Sequence, residues 1–418
     1  MLVYKFGGAS VKDAAGVINL ANIIKRNADK QLLIVVSAMG KTTNALEKLT
    51  KAYTTGAGNT HELLEGIKQY HYEIISELFG KDHPVYDELN NTFVEIEWML
   101  EDEPQDDFDF IYDQIVSIGE LAATRVVNAY LNYISIKSTW VDVRGYIHTD
   151  NTYREGIVDM AKSCAGIQQD MPGLLHKGVV VTQGFLGGTS ENFTTTLGRE
   201  GSDYTAAIFA ACLGAESVTT WKDVPGILNA DPKLFTDTVK FDELSYNEAM
   251  EMTYYGATVI HPKTIKPLQN AGIPLLVKPF NDPDGAGTII KETAQHQFPK
   301  PIIIVKPGQT LLSVSAKDYS FISENHLSDI FRLFARNHIR VNVMQTSALS
   351  FTVCFNVYEE RLTNLLTDLD QDFKVKYNSD LTLITLRHYQ HDALQQLTLG
   401  KTILLEQISR NTAQIVVR

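Results

Sequence analysis

The chain has 418 residues and a net charge of −13, from 37 basic and 50 acidic side chains. This length favours two or three domains, and the acidic balance argues against a nucleic-acid-binding protein. No apolar run reaches the roughly 18 residues that a membrane-spanning helix needs, and the first residues lack the pattern of a signal peptide. We therefore expect a cytoplasmic protein that has neither a membrane nor a nucleic acid as its partner.

The first half of the chain alternates between short apolar runs and helical patterns. Residues 2–6 and 32–37 are predicted strands, and residues 14–27 between them place their apolar side chains at helical spacing. This order predicts a parallel-sheet unit, followed by a mostly helical stretch from 42 to about 131. Further strands are predicted at 137–143, 179–183, 217–221 and 274–278, and further helices at 202–213, 244–255 and 262–270.

The second half of the chain has a different pattern of predicted elements. A turn-rich segment at 279–287 and a proline-containing linker at 298–301 precede it. Its predicted order of elements, βαββαβ, is that of a ferredoxin-like α+β module. Strands are predicted at 311–316, 341–346, 349–356, 374–377, 381–387, 403–408 and 413–417, and helices at 324–337 and 361–369.

The three cysteines, Cys164, Cys212 and Cys354, are far apart and form no C-x-x-C pair. Their spacing indicates neither a zinc site nor a disulfide framework. In a cytosolic protein, we expect three buried and reduced thiols.

Two glycine-containing segments suit the binding of phosphate. Lys5-Phe-Gly-Gly-Ala-Ser10 follows the first strand, where glycine lets backbone N–H groups approach an anion and lysine adds a positive charge. Gly198-Arg-Glu-Gly-Ser-Asp203 opens a predicted helix, whose N-terminus favours anions. Asp203 either caps that helix or holds a lysine in place. Glycine-rich ends of parallel strands predict ligands above the carboxyl edge of the sheet.

Two other segments are weaker signals. Ser117-Ile-Gly-Glu120 places a glycine inside a predicted helix, which costs roughly 1 kcal/mol against alanine, and Glu120 is either a solvated residue or a ligand contact. Trp221–Lys233 follows a strand and is either a plain connection or part of a site. Gly40-Lys-Thr42 does not end a P-loop, because Val35 stands where a Walker A motif requires glycine.

Taken in order, these segments resemble the aspartokinase branch of the amino-acid kinase family. The family patterns K-F-G-G-[TS]-S, V-V-S-A, S-x-G-E, G-R-x-G-S-D-x-T-A, W-[TK]-D-V-P-G-I…DP and G-A-x-V-[IL]-H-P are matched at 5–10, 35–38, 117–120, 198–206, 221–232 and 256–262. The resemblance implies a three-layer α/β sandwich with a mainly parallel sheet over residues 1–293. It also implies ferredoxin-like ACT modules at 300–378 and, in shortened form, at 379–418.

The resemblance further implies that the γ-phosphoryl group of ATP, with Mg²⁺, passes to the side chain of L-aspartate in lysine, threonine and methionine biosynthesis. Because a carboxylate nucleophile is already ionised, the reaction needs positioning and charge neutralisation rather than a general base. Lys5 would neutralise charge on the transferring phosphoryl group, and Gly7 and Gly8 would donate backbone N–H groups to it. Asp203 would orient Lys5. The implied substrate contacts are Ser37, Thr43, Glu120, Arg199 and Ser202. The implied nucleotide contacts are Trp221, Lys222, Asp223, Leu228, Lys233, Thr258 and Lys263.

The chain departs from the family near the nucleotide. Thr258 stands where relatives often have a lysine that Lys263 would have to replace, Leu228 replaces a tyrosine, and Lys233 replaces an arginine. Two alternatives therefore stay open. One is another kinase of the family, acting on glutamate, acetylglutamate, carbamate or UMP, and the other is a catalytically weak amino-acid sensor.

The ACT-like half departs further. Asn342 and Ala348 replace acidic residues of lysine-sensitive relatives, so a cationic effector loses its expected partners. An amino-acid effector and a purely structural role in a homodimer formed through these modules are both open interpretations.

Overall fold

The computed structural model describes residues 1–27, 29–257, 260–293, 298, 300–356 and 359–418. These residues form two compact units. The first comprises Met1–Ile227, Lys240–Met250 and Val259–Gln295, and the second comprises Leu228–Val239, Glu251–Thr258 and His296–Arg418. Within the described ranges, no helix combines the length and the apolar character that a membrane span requires.

The first unit alternates strands with helices, as the sequence predicts. The described strands are β1 (Leu2–Phe6), β2 (Leu32–Val36), β3 (Ser138–Val141), β4 (Val179–Gln183), β5 (Leu186–Gly188), β6 (Thr194–Thr196), β7 (Ser217–Lys222), β8 (Glu243–Ser245), β9 (Leu275–Pro279) and β10 (Thr288–Lys291). The described helices are α1 (Ala14–Lys25), α2 (Thr42–Thr55), α3 (Thr60–Phe79), α4 (Val85–Glu101), α5 (Phe108–Val116), α6 (Ile118–Tyr133), α7 (Met160–Leu175), α8 (Gly201–Leu213), α9 (Tyr246–Tyr255) and α10 (Pro262–Ala271).

Eight of these strands form one sheet in the order β3-β4-β2-β1-β7-β9-β10-β8. The six strands from β3 to β9 in that order run parallel, whereas β10 is antiparallel to β9 and parallel to β8. Every residue of β1, β2 and β4 is buried, as expected for parallel strands that are covered on both faces. The predicted mainly parallel α/β sandwich is therefore confirmed.

The parallel order sets where the site lies. Strands β1, β2, β4 and β7 all end at the same edge of the sheet, because parallel neighbours share a direction. Backbone bonds stitch these ends together: the N–H of Ser37 donates to the carbonyl of Phe6 at 3.1 Å, and that of Gly184 donates to the carbonyl of Val36 at 3.0 Å. The loops that follow these strands are thereby held side by side.

The second unit is an antiparallel sheet with helices, which confirms the α+β class predicted for this half. Its strands form the order β12-β13-β11-β14-β16-β15. They are β11 (Ile302–Ala316), β12 (Val341–Thr346), β13 (Phe351–Phe355), β14 (Phe373–Arg387), β15 (Ile403–Ile408) and β16 (Thr412–Val417), with helices α11 (Glu324–Arg336), α12 (Glu359–Leu369) and α13 (His391–Thr398). One apolar cluster, which includes Phe334, Phe351 and Phe355, packs between α11, α12 and the sheet.

Two strand predictions in this unit are wrong in their bounds. Strand β11 begins at Ile302, well before the predicted residue 311. The strands predicted at 374–377 and 381–387 form one strand, β14, in which Asp380 takes a positive φ of 56°. Residues 378–380 form a local irregularity within β14, because β14 pairs with β11 both before and after them. The division of the chain at 1–293, 300–378 and 379–418 stays a prediction.

The expectation of three reduced thiols is wrong. Cys164 on α7 and Cys212 on α8 are joined by a disulfide, although 48 residues separate them. The two helices pack against each other. The Cα atoms of the two cysteines lie 5.0 Å apart, within the usual range for a disulfide. Cys354 is free and buried.

Candidate active site

A cluster of buried charges lies at the carboxyl edge of the parallel sheet. Lys5, near the end of β1, has its Nζ 3.0 Å from Oδ1 of Asp203 in the first turn of α8. Lys222, the last residue of β7, has its Nζ 3.3 Å from Oδ2 of the same carboxylate. Only 1% of the Asp203 side chain is exposed, so the two ammonium groups replace the water that this carboxylate has lost. The structure thus brings together three of the residues singled out in the sequence.

Burial and neighbouring charge act in opposite directions on these groups. Burial alone would raise the pKa of Asp203, but the Lys222 and Lys5 ammonium groups hold that pKa below its ordinary range. Burial alone would lower the pKa of Lys222, but the carboxylates of Asp203 and Glu200 raise it. At neutral pH Asp203 is therefore ionised and Lys222 is protonated.

Glu120 is fully buried in α6, so the solvated alternative for this residue is wrong. Its Oε1 accepts a hydrogen bond from the N–H of Ala38 at 3.2 Å, whereas its Oε2 has no hydrogen-bond partner among the described residues. Burial raises the pKa of Glu120 to about 8, against the lowering effects of the Ala38 N–H and the Lys5 charge. A buried carboxyl group with an open oxygen suits a cationic ligand, because a positive charge would restore its ionised form.

The loop after β1 packs tightly on the loop after β2. A Cβ at Gly8 would lie 2.6 Å from the carbonyl oxygen of Ala38 and 3.0 Å from that of Gly40, and the Gly40 N–H donates to the Gly8 carbonyl at 3.0 Å. Glycine is therefore required at position 8 for this approach. Gly7 has more space, since its nearest neighbour to an added Cβ is Lys5 Nζ at 3.6 Å.

Ser37 and Thr43 follow β2, at the end of the strand and in the first turn of α2, and both are half-buried. Ser202 lies in the first turn of α8 and packs on the loop after β4, where a Cβ at Gly184 would meet its Cβ at 2.4 Å. Arg199 is exposed, and no hydrogen bond or ion pair joins it to the residues that the structure describes. Ser37 and Thr43 thus belong to the segment that joins β2 to α2, and Arg199 and Ser202 belong to the segment that opens α8.

Asp203 is not the N-cap of its helix. Helix α8 begins at Gly201 and is capped by Glu200, which has a left-handed backbone with φ 57°. The Glu200 carboxylate lies 3.7 Å from Lys222 Nζ, and burial raises the pKa of Glu200 while Lys222 opposes this rise. Sequence reasoning missed Glu200, because it occupies a variable position of the family pattern.

The residues that are predicted to contact the nucleotide lie in several elements and belong to both units. Trp221 is buried and stacks on Phe6, with ring centroids 6.2 Å apart, whereas Asp223 is exposed. Lys263, in the first turn of α10, donates from Nζ to the carbonyl of Leu197 at 3.4 Å. Leu228 and Lys233 belong to the second unit. Thr258 lies outside the described residues.

Sequence reasoning also missed a buried aspartate that holds the loop of Arg199. Asp113 in α5 accepts hydrogen bonds from the N–H of Thr196 at 2.9 Å, from its hydroxyl at 2.7 Å and from the N–H of Arg154 at 2.8 Å. Burial raises the pKa of Asp113 to about 6, although these bonds oppose the rise. An acidic residue on the apolar face of α5 was the signal that would have found it.

A second network anchors the helix that carries Glu120. The amide of Gln183, at the end of β4, donates to the hydroxyl of Thr124 at 2.8 Å and accepts from the N–H of Val143 at 2.8 Å. The Thr124 hydroxyl in turn donates to the Glu120 carbonyl at 2.9 Å. Because all of these groups are satisfied in the interior, the orientation of α6 is well determined.

Both oxygens of Asp203 are engaged by ammonium groups, and the described ranges contain no group of three or more His, Cys, Asp or Glu side chains that suits a metal ion. A resident metal cage is therefore not supported by the side chains described. Mg²⁺ that arrives on nucleotide phosphates needs one or two protein carboxylates at most, so its binding does not require such a cage.

Residues 1–279 match the amino acid kinase family, and the chain belongs to this family. Lysine-sensitive aspartokinase 3 of Escherichia coli (strain K12) is 30% identical over 393 residues, which cover 92% of this chain and 86% of that protein. Aspartokinase 1, chloroplastic, of Arabidopsis thaliana is 31% identical over 413 residues, which cover 94% and 71%. The predicted resemblance to the aspartokinase branch is thus confirmed.

Solved structures of an aspartokinase are also similar to this chain. The crystal structure of E. coli aspartokinase III in complex with aspartate and ADP (R-state) has a TM-score of 0.87 at 28% identity, and the match covers all of this chain and 96% of that chain. The same enzyme in complex with lysine and aspartate (T-state) has a TM-score of 0.82 with the same coverage. The similarity therefore extends over both units of the present chain.

Proposed function

We propose that this chain is an aspartate kinase that transfers the γ-phosphoryl group of ATP to the side-chain carboxylate of L-aspartate, giving 4-phospho-L-aspartate. The activity follows from its membership in the aspartokinase branch, one of whose members binds aspartate and ADP in its crystal structure. The observation that carries the residue assignment is the buried Lys5–Asp203–Lys222 cluster at the carboxyl edge of the sheet.

In this proposal Lys5 neutralises charge on the transferring phosphoryl group, and the N–H groups of Gly7 and Gly8 add donors. Asp203 orients Lys5 and Lys222 by holding one with each oxygen. The aspartate side chain is ionised at neutral pH, so its carboxylate oxygen attacks the γ-phosphorus directly while the bond to the β-phosphate oxygen breaks. No group on the protein has to accept a proton.

The protein holds aspartate by its α-ammonium and α-carboxylate groups. Glu120 receives the α-ammonium group, which supplies the positive charge that its open Oε2 requires. Arg199, exposed beside the cluster, clamps the α-carboxylate with two parallel hydrogen bonds. Ser37, Thr43 and Ser202 complete the pocket from neighbouring loops.

The residues that we assign to the nucleotide are those that the family resemblance implies there. These are Trp221, Lys222, Asp223, Leu228, Lys233, Thr258 and Lys263. Mg²⁺, bound to the phosphates, would neutralise part of their charge during transfer. Lys233 would supply a point charge where relatives use arginine, and Lys263 would substitute for the lysine that relatives often have at the position of Thr258.

We assign catalysis to residues 1–293 and a regulatory or dimer-forming role to ACT modules at 300–378 and 379–418. E. coli aspartokinase III binds lysine, and an amino-acid effector is a proposal for this chain as well. We also propose a cytoplasmic homodimer that works in the biosynthesis of lysine, threonine and methionine.

The test is ATP turnover with Mg²⁺ and either L-aspartate or L-glutamate, with the acyl phosphate trapped by hydroxylamine. Lys5→Ala is expected to lower aspartate-dependent kcat by about 10²–10³-fold. The matched control, Lys48→Ala, changes an exposed lysine of α2 and is expected to behave as wild type. Hydroxamate from glutamate alone would favour another kinase of the family, and no product from folded protein would favour the sensor.

A further inference from the structure

Glu200 is a strained residue at the edge of the charge cluster. It occupies the N-cap position of α8 with φ 57° and ψ 24°, a left-handed conformation that is sterically unfavourable for a residue with a Cβ. Glutamate has no special tolerance for this region, unlike glycine, asparagine or aspartate. Strain of this kind persists where surrounding interactions hold it, and such positions concentrate at functional sites.

The Glu200 side chain faces a cation that the proposed function uses. Its Oε2 lies 3.7 Å from Lys222 Nζ, which is also 3.3 Å from Asp203 Oδ2. About a quarter of the Glu200 side chain is exposed, against 17% of Lys222. Lys222 therefore lies between the carboxylates of Asp203 and Glu200. These two carboxyl groups also contact each other, which helps burial to raise the pKa of Glu200.

The sum of these charges matters for an anionic ligand. With all four groups ionised, two ammonium groups face two carboxylates and the cluster is neutral. Asp203 alone is sufficient to hold both lysines, because each of its oxygens contacts one of them. Glu200 therefore removes positive charge from the one lysine that lies at the end of β7, beside the proposed nucleotide position.

We propose that Glu200 is a positioning residue that competes with the nucleotide phosphates for Lys222, and thereby weakens nucleotide binding. This inference rests on the proposed function, because it takes Lys222 as a phosphate contact. Binding of a phosphate to Lys222 displaces the Glu200 carboxylate towards solvent, which its partial exposure permits. Release of ADP is then assisted when the carboxylate returns to the ammonium group.

The test is the dissociation constant of ADP, measured by calorimetry on the full chain with and without Mg²⁺. Glu200→Gln keeps the size of the side chain and removes its charge, and it is expected to bind ADP about three- to tenfold more tightly than wild type. The KM for ATP is expected to fall by a similar factor, while KM for aspartate stays unchanged. Glu200→Asp retains the charge and is expected to lie between the two.

A matched control and salt separate this role from a structural one. Glu191→Gln removes an equal charge from an exposed loop residue and is expected to leave ADP binding unchanged. The advantage of Glu200→Gln should shrink as ionic strength rises, because salt screens the competing charges. A structural role alone would not make ADP bind more tightly.

Two outcomes would overturn the proposal. ADP affinity equal to wild type in folded Glu200→Gln would mean that the carboxylate does not compete for Lys222. Weaker binding that requires Mg²⁺ would instead make Glu200 a ligand of the nucleotide-bound metal. Wild-type protein that binds ADP but forms no hydroxamate would reject the kinase function, while the comparison of affinities still decides the role of Glu200.

Discussion

The two units bury polar groups in different ways. In the parallel unit, Lys5, Asp203 and Glu120 lose nearly all contact with water, and they gather at one edge of the sheet. In the antiparallel unit, the buried Gln309 accepts from Asn342 at 2.7 Å, so this interior contact joins neutral amides. Parallel strands bring many loop residues to one edge, whereas antiparallel neighbours end at opposite edges. Several buried charges therefore gather at one sheet edge of the parallel unit, whereas in the antiparallel unit the buried Arg387 is paired with Glu251 at 2.9 Å.

The cysteines also differ between the two units. Cys164 and Cys212 join two helices of the parallel unit, whereas Cys354 lies free inside the antiparallel sheet. Burial raises the pKa of Cys354 to about 12, so this thiol is unreactive at neutral pH. A buried neutral thiol behaves as an apolar side chain.

Asp203→Asn should have the largest effect. It leaves the Lys5 and Lys222 ammonium groups without their shared carboxylate, which should lower stability by about 3–5 kcal/mol and kcat by about 10²–10³-fold. Urea unfolding and hydroxamate formation measure the two effects. Asp82→Asn, at an exposed position, is the control and should change neither. Wild-type turnover by folded Asp203→Asn would remove the basis for contrasting the two units.

Glu120→Gln tests whether an isolated carboxyl group is buried beside the cluster. Burial raises the pKa of Glu120 from 4.5 to about 8, so folding favours its protonated form. Its stabilising contribution is complete below the unfolded pKa and is lost as pH rises through the folded pKa. Relative to wild type, Glu120→Gln should therefore gain about 5 kcal/mol in unfolding free energy between about pH 4.5 and about pH 8.

Urea unfolding across that pH range measures the Glu120 effect. Glu47→Gln, which replaces the carboxylate that accepts from the Tyr112 hydroxyl at 2.6 Å with a neutral amide, is a control outside the cluster. A constant difference between wild type and Glu120→Gln at all pH values would mean that Glu120 ionises normally.

Reduction of Cys164 and Cys212 should lower stability by about 2–4 kcal/mol, because it frees a 48-residue loop in the unfolded chain. Denatured protein without reductant should show one reactive thiol, that of Cys354, and reduced protein should show three. The melting temperature should fall on reduction in wild type and in Cys354→Ala, but not in Cys212→Ser. Three thiols in unreduced protein would contradict the disulfide.

Gln309→Leu should have the smallest effect. It deprives the Asn342 amide of its acceptor, which costs about 1–2 kcal/mol. Because both groups are neutral, the loss should be the same at about pH 5 and about pH 8, unlike that of Glu120. Urea unfolding at both pH values measures it. Lys306 Nζ, which donates to Asn342 Oδ1 at 3.0 Å, is present in both proteins, so a strong pH dependence of the difference would contradict the neutral character of the Gln309–Asn342 contact.

Local signals in the sequence were sufficient for the framework of the first unit. Strand β1 covers the predicted residues 2–6, and α8 starts one residue before the predicted 202. Apolar runs and glycines act within a few residues, so such elements can be read directly. In the second unit the same logic failed at β14, where the sequence predicts two separate strands at 374–377 and 381–387. Pairing with β11 outweighs that local preference.

The candidate site residues also divide into those that local motifs predict and those that they do not. Lys5, Gly8 and Asp203 were predicted because each belongs to a short motif whose order resembles a family. Asp113 was not predicted, because its partner Thr196 lies 83 residues away. The role of Glu120 was left open, since a helical position alone does not say whether neighbouring elements cover it.

The sequence by itself therefore determined the class of fold, the family and most candidate site residues, because these depend on short patterns and on their order. Only the tertiary structure decided which charges meet. It joined Lys5 to Asp203, set Glu200 against Lys222, buried Glu120 and brought Cys164 to Cys212. The physical reason is that desolvation and ion pairing depend on distances between elements that are far apart in the chain.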